Sequence, residues 1–345
     1  MDEAYENPEE YIHVLITSTR KTFFGTVIGI SQVTNRVNTI THAQPSIPDS
    51  SNFGNAVESL MPGCSDSNWN KDPYKISGNG TTTITGSGVK INSSCANYAL
   101  TQNGGGTLNS AAGTCVVGGI DPSSAGHVNP APTQNCTPSP ERQWPNPSCD
   151  LDGEGDMDEL GTLENPYGGI WTASPGYYMG DFPSGPSGEL FLEKGIYCIV
   201  GGDFTVNSTL SVSTDVNENG VHDYASEGVL IMVEDGGITL NGSSEFDLHA
   251  ISDPTADIMI QNLLFFLPPG NDSTVRITGN TDSVFTGSIW APSALITLEG
   301  NGNTTVNSQV VGYSVEISGG TGLAINYNEN QNAVIMAPAS IELNK

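Results

Sequence analysis

Ile238-Thr239-Leu240-Asn241-Gly242 introduces a pattern that recurs towards the C-terminus, in which a short β-branched strand ends in a turn of glycine and asparagine. The pattern returns as Val275-Arg276-Ile277-Thr278-Gly279-Asn280, Leu295-Ile296-Thr297-Leu298-Glu299-Gly300-Asn301 and Val315-Glu316-Ile317-Ser318-Gly319-Gly320. The last three turn glycines lie 21 and 19 residues apart, and the first interval, 37 residues, is close to two such units. A repeat of about 20 residues built from short strands is typical of a coiled β-solenoid. The sequence therefore predicts a mainly β fold, a right-handed parallel β-helix.

Four regions follow from the distribution of this pattern. Residues 1–48 predict a small α/β unit, with strands near residues 12–16 and 33–43 and, between them, a helix over residues 23–28 that Thr22 caps. Residues 49–120 repeat the pattern early and predict the first coils. Residues 121–189 are dense in proline, glycine and acid and predict an irregular insertion stapled by disulfides. Residues 190–345 predict the main solenoid, with Phe265, Phe266, Ile289 and Ile325 in its core.

The charge excludes some partners. The chain has 38 acidic and 10 basic residues, a formal net charge of −28. Such a surface repels nucleic acid and anionic lipid and attracts divalent cations, and it also fits a soluble exported protein. The membrane is expected to be reached only through an absent N-terminal segment, since no apolar run here is long enough to span a bilayer. We interpret that export segment as having been removed.

Six cysteines are spread widely and form no C-x-x-C pair. Their even number favours disulfides in an oxidising compartment over zinc ligation, with free buried thiols as the alternative. The sequence does not select a pairing, and Cys136 with Cys149 is the favoured local bridge because it closes the proline-rich loop between them. An extracellular location follows from this interpretation.

A calcium site is predicted at Asp215-Val216-Asn217-Glu218-Asn219-Gly220-Val221-His222-Asp223. Oxygen-bearing side chains stand at positions 1, 3, 5 and 9, a glycine at position 6 allows the bend, and the Val221 carbonyl would be the ligand at position 7. Position 12 is Ser226, so the loop is not an EF-hand, but it resembles the short calcium loops of thrombospondin type-3 and dockerin-like repeats. Glu227 is a further ligand candidate, and a metal-free Asn/Asp turn is the alternative. The predicted ligands are Asp215, Asn217, Asn219, Val221 and Asp223.

A second acidic cluster, residues 150–159, is the other candidate for Ca²⁺. Its alternating acids repel one another unless a cation or solvent screens them. A solvated acidic loop and a catalytic carboxylate pair are the alternatives. The ligands would be Asp150, Asp152, Glu154 and Asp156.

Catalytic motifs are weak in this chain. It contains no G-x-S-x-G, H-E-x-x-H or phosphate-binding glycine loop, and its five histidines are dispersed. Calcium-dependent β-helix lyases also need a basic residue as the base, and Arg276 is interpreted instead as an outward strand charge. Trp290 would serve either as a sugar-stacking face or as a packed corner. The sequence predicts no catalytic residues, with a polysaccharide lyase or hydrolase as the alternative.

Two stretches resemble the TadE/TadG-like proteins associated with bacterial tight-adherence pili. Residues 10–30, which contain Thr22-Phe23-Phe24-Gly25-Thr26-Val27-Ile28-Gly29-Ile30, resemble the segment that follows the membrane helix in that family. Phe285-Thr286-Gly287-Ser288-Ile289-Trp290-Ala291-Pro292-Ser293-Ala294 and residues 309–319 resemble the β-rich C-terminal region of its large members. The resemblance implies a cell-surface setting and a membrane anchor that this chain lacks, and it offers no catalytic residues.

Together these features predict a non-catalytic, calcium-stiffened, structural or adhesive protein of a bacterial pilus or cell surface. Its expected partners are other surface or pilus proteins, including copies of itself, and no nucleic acid. The alternatives are a secreted carbohydrate-binding module or polysaccharide-active enzyme on the same scaffold, and a self-assembling surface-layer or filament subunit.

Overall fold

The computed structural model describes residues 11–44, 47–49, 54–64, 72–140, 144, 147, 160–215, 227–256, 259–280, 282–337 and 340–343. The chain divides into two compact units. We call Met1–Asp49 with Met336–Lys345 the terminal unit, and Ser50–Ile335 the body. The described residues are mainly strands, and they contain no α-helix. The predicted mainly β fold is confirmed.

The terminal unit is built on a β-hairpin. Strand β1 (Tyr11–Lys21) pairs antiparallel with β2 (Gln32–Gln44), from Tyr11↔His42 to Lys21↔Gln32. The predicted helix over residues 23–28 is wrong, because this stretch holds only a four-residue 3-10 turn, Gly25–Ile28. Two glycines within the stretch weaken a helix, and so short a segment cannot offset the free energy of nucleation, whereas the flanking β-branched residues pair along eleven positions.

Most of the remaining strands are short. Strand β28 pairs with β2, and β3 pairs with β27. Further 3-10 turns are Ala125–His127 and Glu329–Gln331. The strands are β3 (Ile47–Asp49), β4 (Asn55–Ser59), β5 (Tyr74–Gly78), β6 (Thr81–Thr85), β7 (Gly88–Ile91), β8 (Leu100–Gly104), β9 (Thr107–Ser110), β10 (Thr114–Val116), β11 (Val128–Asn129), β12 (Leu163–Tyr167), β13 (Ile170–Ala173), β14 (Gly176–Met179), β15 (Gly188–Leu192), β16 (Gly195–Val200), β17 (Phe204–Val206), β18 (Leu210–Ser213), β19 (Val229–Val233), β20 (Ile238–Leu240), β21 (Phe246–His249), β22 (Leu263–Phe266), β23 (Val275–Asn280), β24 (Val284–Thr286), β25 (Ser288–Asn307), β26 (Val310–Asn326), β27 (Ile335–Ala337) and β28 (Ser340–Leu343).

One rule describes most of the pairing in the body: a strand pairs in parallel with the third strand after it along the chain. Examples are β5 with β8, β16 with β19 and β20 with β23. Three strands therefore make one coil, and successive coils stack strand on strand in three rows. Row A includes β15, β18, β21 and β24; row B includes β16, β19 and β22; row C includes β17, β20 and β23. Strands β25 and β26 each run through all three rows, with register shifts at the bends.

Coil length varies more than the sequence predicts. Ile238 lies directly beside Val275 in the ladder, so the 37-residue interval is one coil and not two. The extra residues form a loop at 250–262, between β21 and β22. Strands β12, β13 and β14 lie within the segment predicted to be irregular, and β13 pairs in parallel with β15. Short strands bounded by glycine and proline leave little periodicity in a sequence.

The order of the coils in the stack differs from their order in the chain. Strand β26, the last of the body's long strands, pairs in parallel with β4, β5 and β6, which are the first strands of the body. The stack therefore runs from β13 to β26, continues from β4 onward, and ends near β11. Both chain ends leave at one level in the middle of the stack, at the corner between Asn326 of row A and Asn55 of row B.

Side chains that point inward form a continuous aromatic column. Ring centroids are 5.9 Å apart for Phe182 and Phe204, 6.3 Å for Phe204 and Phe265, and 6.4 Å for Phe265 and Phe285. Tyr197, stacked 6.0 Å from Phe182, donates its hydroxyl to the carbonyls of Ala173 and Glu193. Burial raises the pKa of this hydroxyl far above the usual tyrosine range. The four residues predicted for the core are all fully buried: Phe265, Phe266, Ile289 and Ile325.

Row B is also covered on its outer face, where Phe266 belongs to a second apolar cluster. Trp144 of the segment between Cys136 and Leu160 packs edge to face on Trp290, with ring centroids 5.7 Å apart. Trp290 is fully buried, which decides between its two interpretations in favour of a packed corner. Earlier in the same segment, Ser139 donates to Glu58 at 2.6 Å. This segment therefore contacts row B at two levels of the stack, with the coil of Val311 between them.

Disulfides join Cys64 to Cys95 and Cys115 to Cys136. The favoured pairing of Cys136 with Cys149 is therefore wrong: parallel stacking places Cys115 level with Thr133, next to Cys136, although the two cysteines are 21 residues apart. Cys198 is also disulfide-bonded, and Cys149 lies outside the described residues.

The aromatic column predicts which core substitution is severe. Phe265→Ala removes a fully buried ring between two others and should lower the free energy of unfolding by about 3–5 kcal/mol, because the rigid coils around it cannot collapse into the cavity. Met179→Ala, at an exposed position of the body, is the matched control and should change it by less than about 0.5 kcal/mol. Urea melts followed by circular dichroism measure both, and equal midpoints would contradict the packing.

Candidate functional site

The predicted calcium loop begins at the end of β18. Asp215 lies there, and its backbone N–H donates to Ser213 Oγ at 3.0 Å. Glu227, on the far side of the loop, is fully buried. The other predicted ligands of both clusters lie outside the described residues: Asn217, Asn219, Val221, Asp223, Asp150, Asp152, Glu154 and Asp156. Within the described ranges, no group of three or more His, Cys, Asp and Glu side chains is arranged to hold a metal ion.

The corner between rows A and B is where the coils differ most. Two residues connect β15 to β16, and Gly287 alone connects β24 to β25. In contrast, residues 214–228 connect β18 to β19, and residues 250–262 connect β21 to β22. The predicted calcium loop and the loop at 250–262 therefore leave the stack at the same corner, on successive coils.

A polar pocket of about 540 Å³ lies at this corner. Its wall combines the loop at 250–262 with the segment at 328–331, where the chain leaves the stack. Seven of the eleven described lining residues carry a side-chain amide or hydroxyl, and no described group forms a hydrogen bond with the buried Ser252 Oγ. Such neutral donors and acceptors suit a ligand rich in hydroxyl groups. The lining includes His249, Ser252, Gln261, Asn262, Asn328 and Gln331.

An ion pair and a histidine–carboxylate contact lie beside the pocket. Lys194 Nζ contacts Asp253 Oδ2 at 2.8 Å and ties the loop at 250–262 to a corner two coils away. This hydrogen bond, helped by those from Thr255, holds the pKa of Asp253 well below its usual range. His249 Nε2 lies 3.0 Å from Asp247 Oδ1. On row C, Arg276 points outward as predicted and pairs with Glu299 at 2.9 Å.

The hairpin turn of the terminal unit is a second candidate site, which the sequence analysis missed because it assigned a helix here. The turn carries four large apolar side chains in the open: Phe23 is 90 % exposed, Phe24 84 %, Val27 85 % and Ile28 75 %. Exposed apolar groups packed this densely mark an interaction site more often than chance. We call these four residues the apolar tip.

Hydrogen bonds hold the backbone of the tip in a defined shape. The Thr22 N–H donates to the Ser31 carbonyl at 3.1 Å, and the Ile30 N–H donates to the Gly25 carbonyl at 2.7 Å. The Thr22 hydroxyl donates to the Ile30 carbonyl. Gly29 adopts a positive φ of 83°, which glycine and asparagine tolerate best. The four apolar side chains are therefore exposed on a turn whose backbone is held by its own hydrogen bonds.

Comparisons with known proteins assign neither a family nor a fold to this chain. No protein-family model matches the sequence, and no curated protein matches it. Among solved structures, the competence-associated pilin ComZ from Thermus thermophilus aligns with 96 % of this chain and 82 % of its own, at 10 % sequence identity and a TM-score of 0.28. A score this low does not indicate a shared fold. In the described part of the chain, no helix has the length and apolarity to cross a membrane.

Gly25 is predicted to be essential to the shape of the tip. A Cβ at this position would lie 2.5 Å from the Ile30 carbonyl oxygen and would also collide with the Thr22 hydroxyl. Gly25→Ala should therefore open the turn, with amide exchange over residues 22–31 about tenfold faster, a local loss of about 1.4 kcal/mol. Gly29→Asn is the control, since the open space around Gly29 and the tolerance of asparagine for positive φ leave the turn intact. Hydrogen–deuterium exchange with mass spectrometry reads both, and matching exchange would refute the assignment.

Proposed function

We propose that this chain is a non-catalytic structural or adhesive protein of a bacterial surface, associated with a pilus, with a body that is a right-handed parallel solenoid. The observation that carries the proposal is the stack of parallel coils, closed between the last and the first strands of the body. Crossovers between parallel strands are right-handed in nearly all proteins, which supports the proposed hand. Stacked coils with a filled interior make a rigid scaffold, and a scaffold acts by its shape.

The disulfides support an extracellular setting. Cys64–Cys95 and Cys115–Cys136 link successive levels of the coils that end the stack near β11. Bridges of this kind persist in oxidising compartments and are rare in a reducing cytosol. They also protect an end of the stack, where strand edges lack a neighbouring coil and would otherwise pair with other chains.

The chain path supports a scaffold that is attached at one place. Asn326 ends the last row A strand, and Asn55 begins the first row B strand, so both ends of the body leave at the same corner. Both then continue into the terminal unit, where β2 pairs with β28. The association with a pilus rests on the resemblance of residues 10–30, 285–294 and 309–319 to the TadE/TadG-like proteins.

Outer polar ladders offer a surface for neighbours. Thr81 and Thr107 hydroxyls are 2.9 Å apart on adjacent coils, and Thr85 donates to Asn326 at 2.9 Å. Asn326 in turn donates to Asn307 at 3.2 Å. Repeated side chains of this type present regularly spaced hydrogen-bonding groups along the stack.

A second candidate is a carbohydrate-binding module on the same scaffold. The polar pocket at the corner between rows A and B favours it, because its amide and hydroxyl groups match the hydrogen-bonding needs of a glycan. The described lining contains no phenylalanine, tyrosine or tryptophan on which a sugar ring could stack, so the structural role is the first choice.

Surface exposure tests the proposed function. An antibody raised against the body should label intact cells of the source bacterium as strongly as permeabilised cells, and the chain should co-purify with sheared pili. An antibody against a cytoplasmic protein is the control for cell integrity. Labelling that requires permeabilisation would exclude the proposal.

Calcium is part of the proposed function, with Asp215, Asn217, Asn219, Val221 and Asp223 as its ligands. A cation bound only by the folded protein stabilises it by RT ln(1 + [L]/Kd), so excess chelator should lower the melting temperature by several degrees at millimolar calcium. Asp215→Ala with Asp223→Ala should reproduce this loss and make the protein insensitive to chelator.

Glu164→Ala with Glu189→Ala, two exposed positions of the body, is the matched control for the loss of two charges. This variant should keep the full response to chelator. If calcium affinity survives the change at Asp215 and Asp223, the first-choice loop is the wrong one. The cluster at Asp150, Asp152, Glu154 and Asp156 is then the remaining candidate, to be tested in the same assay.

A further inference from the structure

The charge of the hairpin is opposite to that of the rest of the chain. Residues 11–48 contain no aspartate or glutamate, although the chain has 38 acidic residues. The same stretch carries Arg20, Lys21 and Arg36, three of only ten basic residues. Its formal charge is therefore +3 within a chain of −28, which leaves −31 on all other residues. A separation of this size indicates that the hairpin faces a partner unlike the one the body faces.

The basic side chains lie next to the apolar tip. Arg20 and Lys21 directly precede the turn, and Lys21 pairs with Gln32 in the last rung of the hairpin. Arg36 pairs with Thr17, four rungs behind, or about 14 Å along the ribbon. All three are exposed. The tip is thus an apolar end with a cationic collar.

The acidic residues that are nearest in sequence join the opposite end of the ribbon. Residues 1–10 include five acids and connect to Tyr11, which pairs with His42 in the first rung. Ten rungs separate Tyr11 from Lys21, about 34 Å of strand. The rung to which these acids are joined is therefore farther from the collar than the screening length of about 8 Å at physiological salt.

A lipid bilayer fits this chemistry better than a protein surface does. The tip is a convex turn with four apolar side chains, and the interfacial zone of a bilayer accepts a protrusion without a preformed groove. Lysine and arginine beside such a protrusion extend their charged ends to lipid phosphates while their stems stay in apolar contact. Each adds about 1 kcal/mol of attraction to an anionic leaflet. The body, in contrast, is repelled by the same leaflet, which leaves the hairpin as the part that docks.

We propose that the apolar tip inserts into the interface of an anionic phospholipid bilayer, with Arg20 and Lys21 bound to lipid phosphates. Insertion buries Phe23, Phe24, Val27 and Ile28 in the acyl boundary. The turn is held by its own hydrogen bonds before it meets the bilayer, so little ordering opposes insertion. The ribbon then holds the collar at the depth of the headgroups.

Vesicle flotation with the full chain tests the proposal. The wild-type protein should float with vesicles of phosphatidylcholine and phosphatidylglycerol, and much less with phosphatidylcholine alone. Phe23→Ser with Phe24→Ser should weaken binding about a hundredfold, since two rings no longer leave water. Arg20→Gln with Lys21→Gln should weaken binding to the anionic vesicles about thirtyfold, and high salt should have the same effect on the wild-type protein.

Matched controls distinguish an effect of the apolar tip from the effect of removing any two exposed apolar side chains. Tyr98→Ser with Met179→Ser replaces two exposed apolar residues of the body and should leave flotation unchanged. All variants should melt at the wild-type temperature, because the exposed tip adds nothing to the core. Binding that survives the loss of both phenylalanines, or a wild-type protein that does not float, would overturn the proposal.

Sedimentation velocity tests the alternative that the tip binds a second copy of this chain and not a bilayer. A concentration-dependent dimer that disappears in Phe23→Ser with Phe24→Ser, without any flotation by the wild-type protein, would assign the tip to self-association and overturn the lipid proposal. Labelling of intact cells does not depend on either result. The proposed surface function can therefore be refuted without refuting the lipid contact, and the lipid contact without refuting the surface function.

Discussion

The structure depends on one constraint: each inward side chain lies directly on the equivalent side chain of the next coil. Parallel pairing imposes this, because a strand and its neighbour then run in the same direction at nearly the same register. Ile231, Phe265 and Ile289 lie on one another in row B through it, although 58 residues separate the first from the last. A coil can lengthen between strands without disturbing the core, so the body carries long loops at 214–228 and 250–262 on successive coils.

Parallel stacking also makes the first and last strands of the body neighbours in the stack. Because β26 pairs with β4, β5 and β6, the stack is continuous across the two chain ends, and neither end leaves a coil without a neighbour at that level. The side chains on the outer face of row B change character at this junction. Trp290 and Val311 are apolar and buried in the second cluster, whereas Glu58 and Lys90 follow them in register with polar contacts. The segment after Cys136 contacts both parts, so the outer face is covered along with the inner one.

Much of the body follows from the sequence, and the exceptions have identifiable causes. Phe265 and Ile289 are predicted correctly because turn glycines and β-branched strands mark the coils near them. The 37-residue interval is misread because a loop of unknown length is indistinguishable from an extra coil when only turn residues are counted. Cys136 is mispaired because stacking brings Cys115 beside it, a contact that proximity in sequence does not predict. The hairpin is misread because Phe23, Phe24, Val27 and Ile28 are spaced as on a helix, while the long β-branched flanks decide the outcome. The absence of acid over residues 11–48 is the signal in the sequence that points to the tip.

The body and the hairpin differ in strand pairing, in the burial of their apolar side chains and in charge. In the body, the described strands between the two ends of the stack have partners above and below, and aromatic side chains pack in the interior. The net charge of the chain is strongly negative. The hairpin is a two-stranded ribbon over most of its length, β1 is an edge strand of its sheet, and both broad faces are exposed. An isolated ribbon of this kind is marginally stable in water, and its tip adds apolar area without burying any. The proposed bilayer contact would bury this apolar area. Because residues 11–48 contain no acid, an anionic surface that repels the rest of the chain fits that contact.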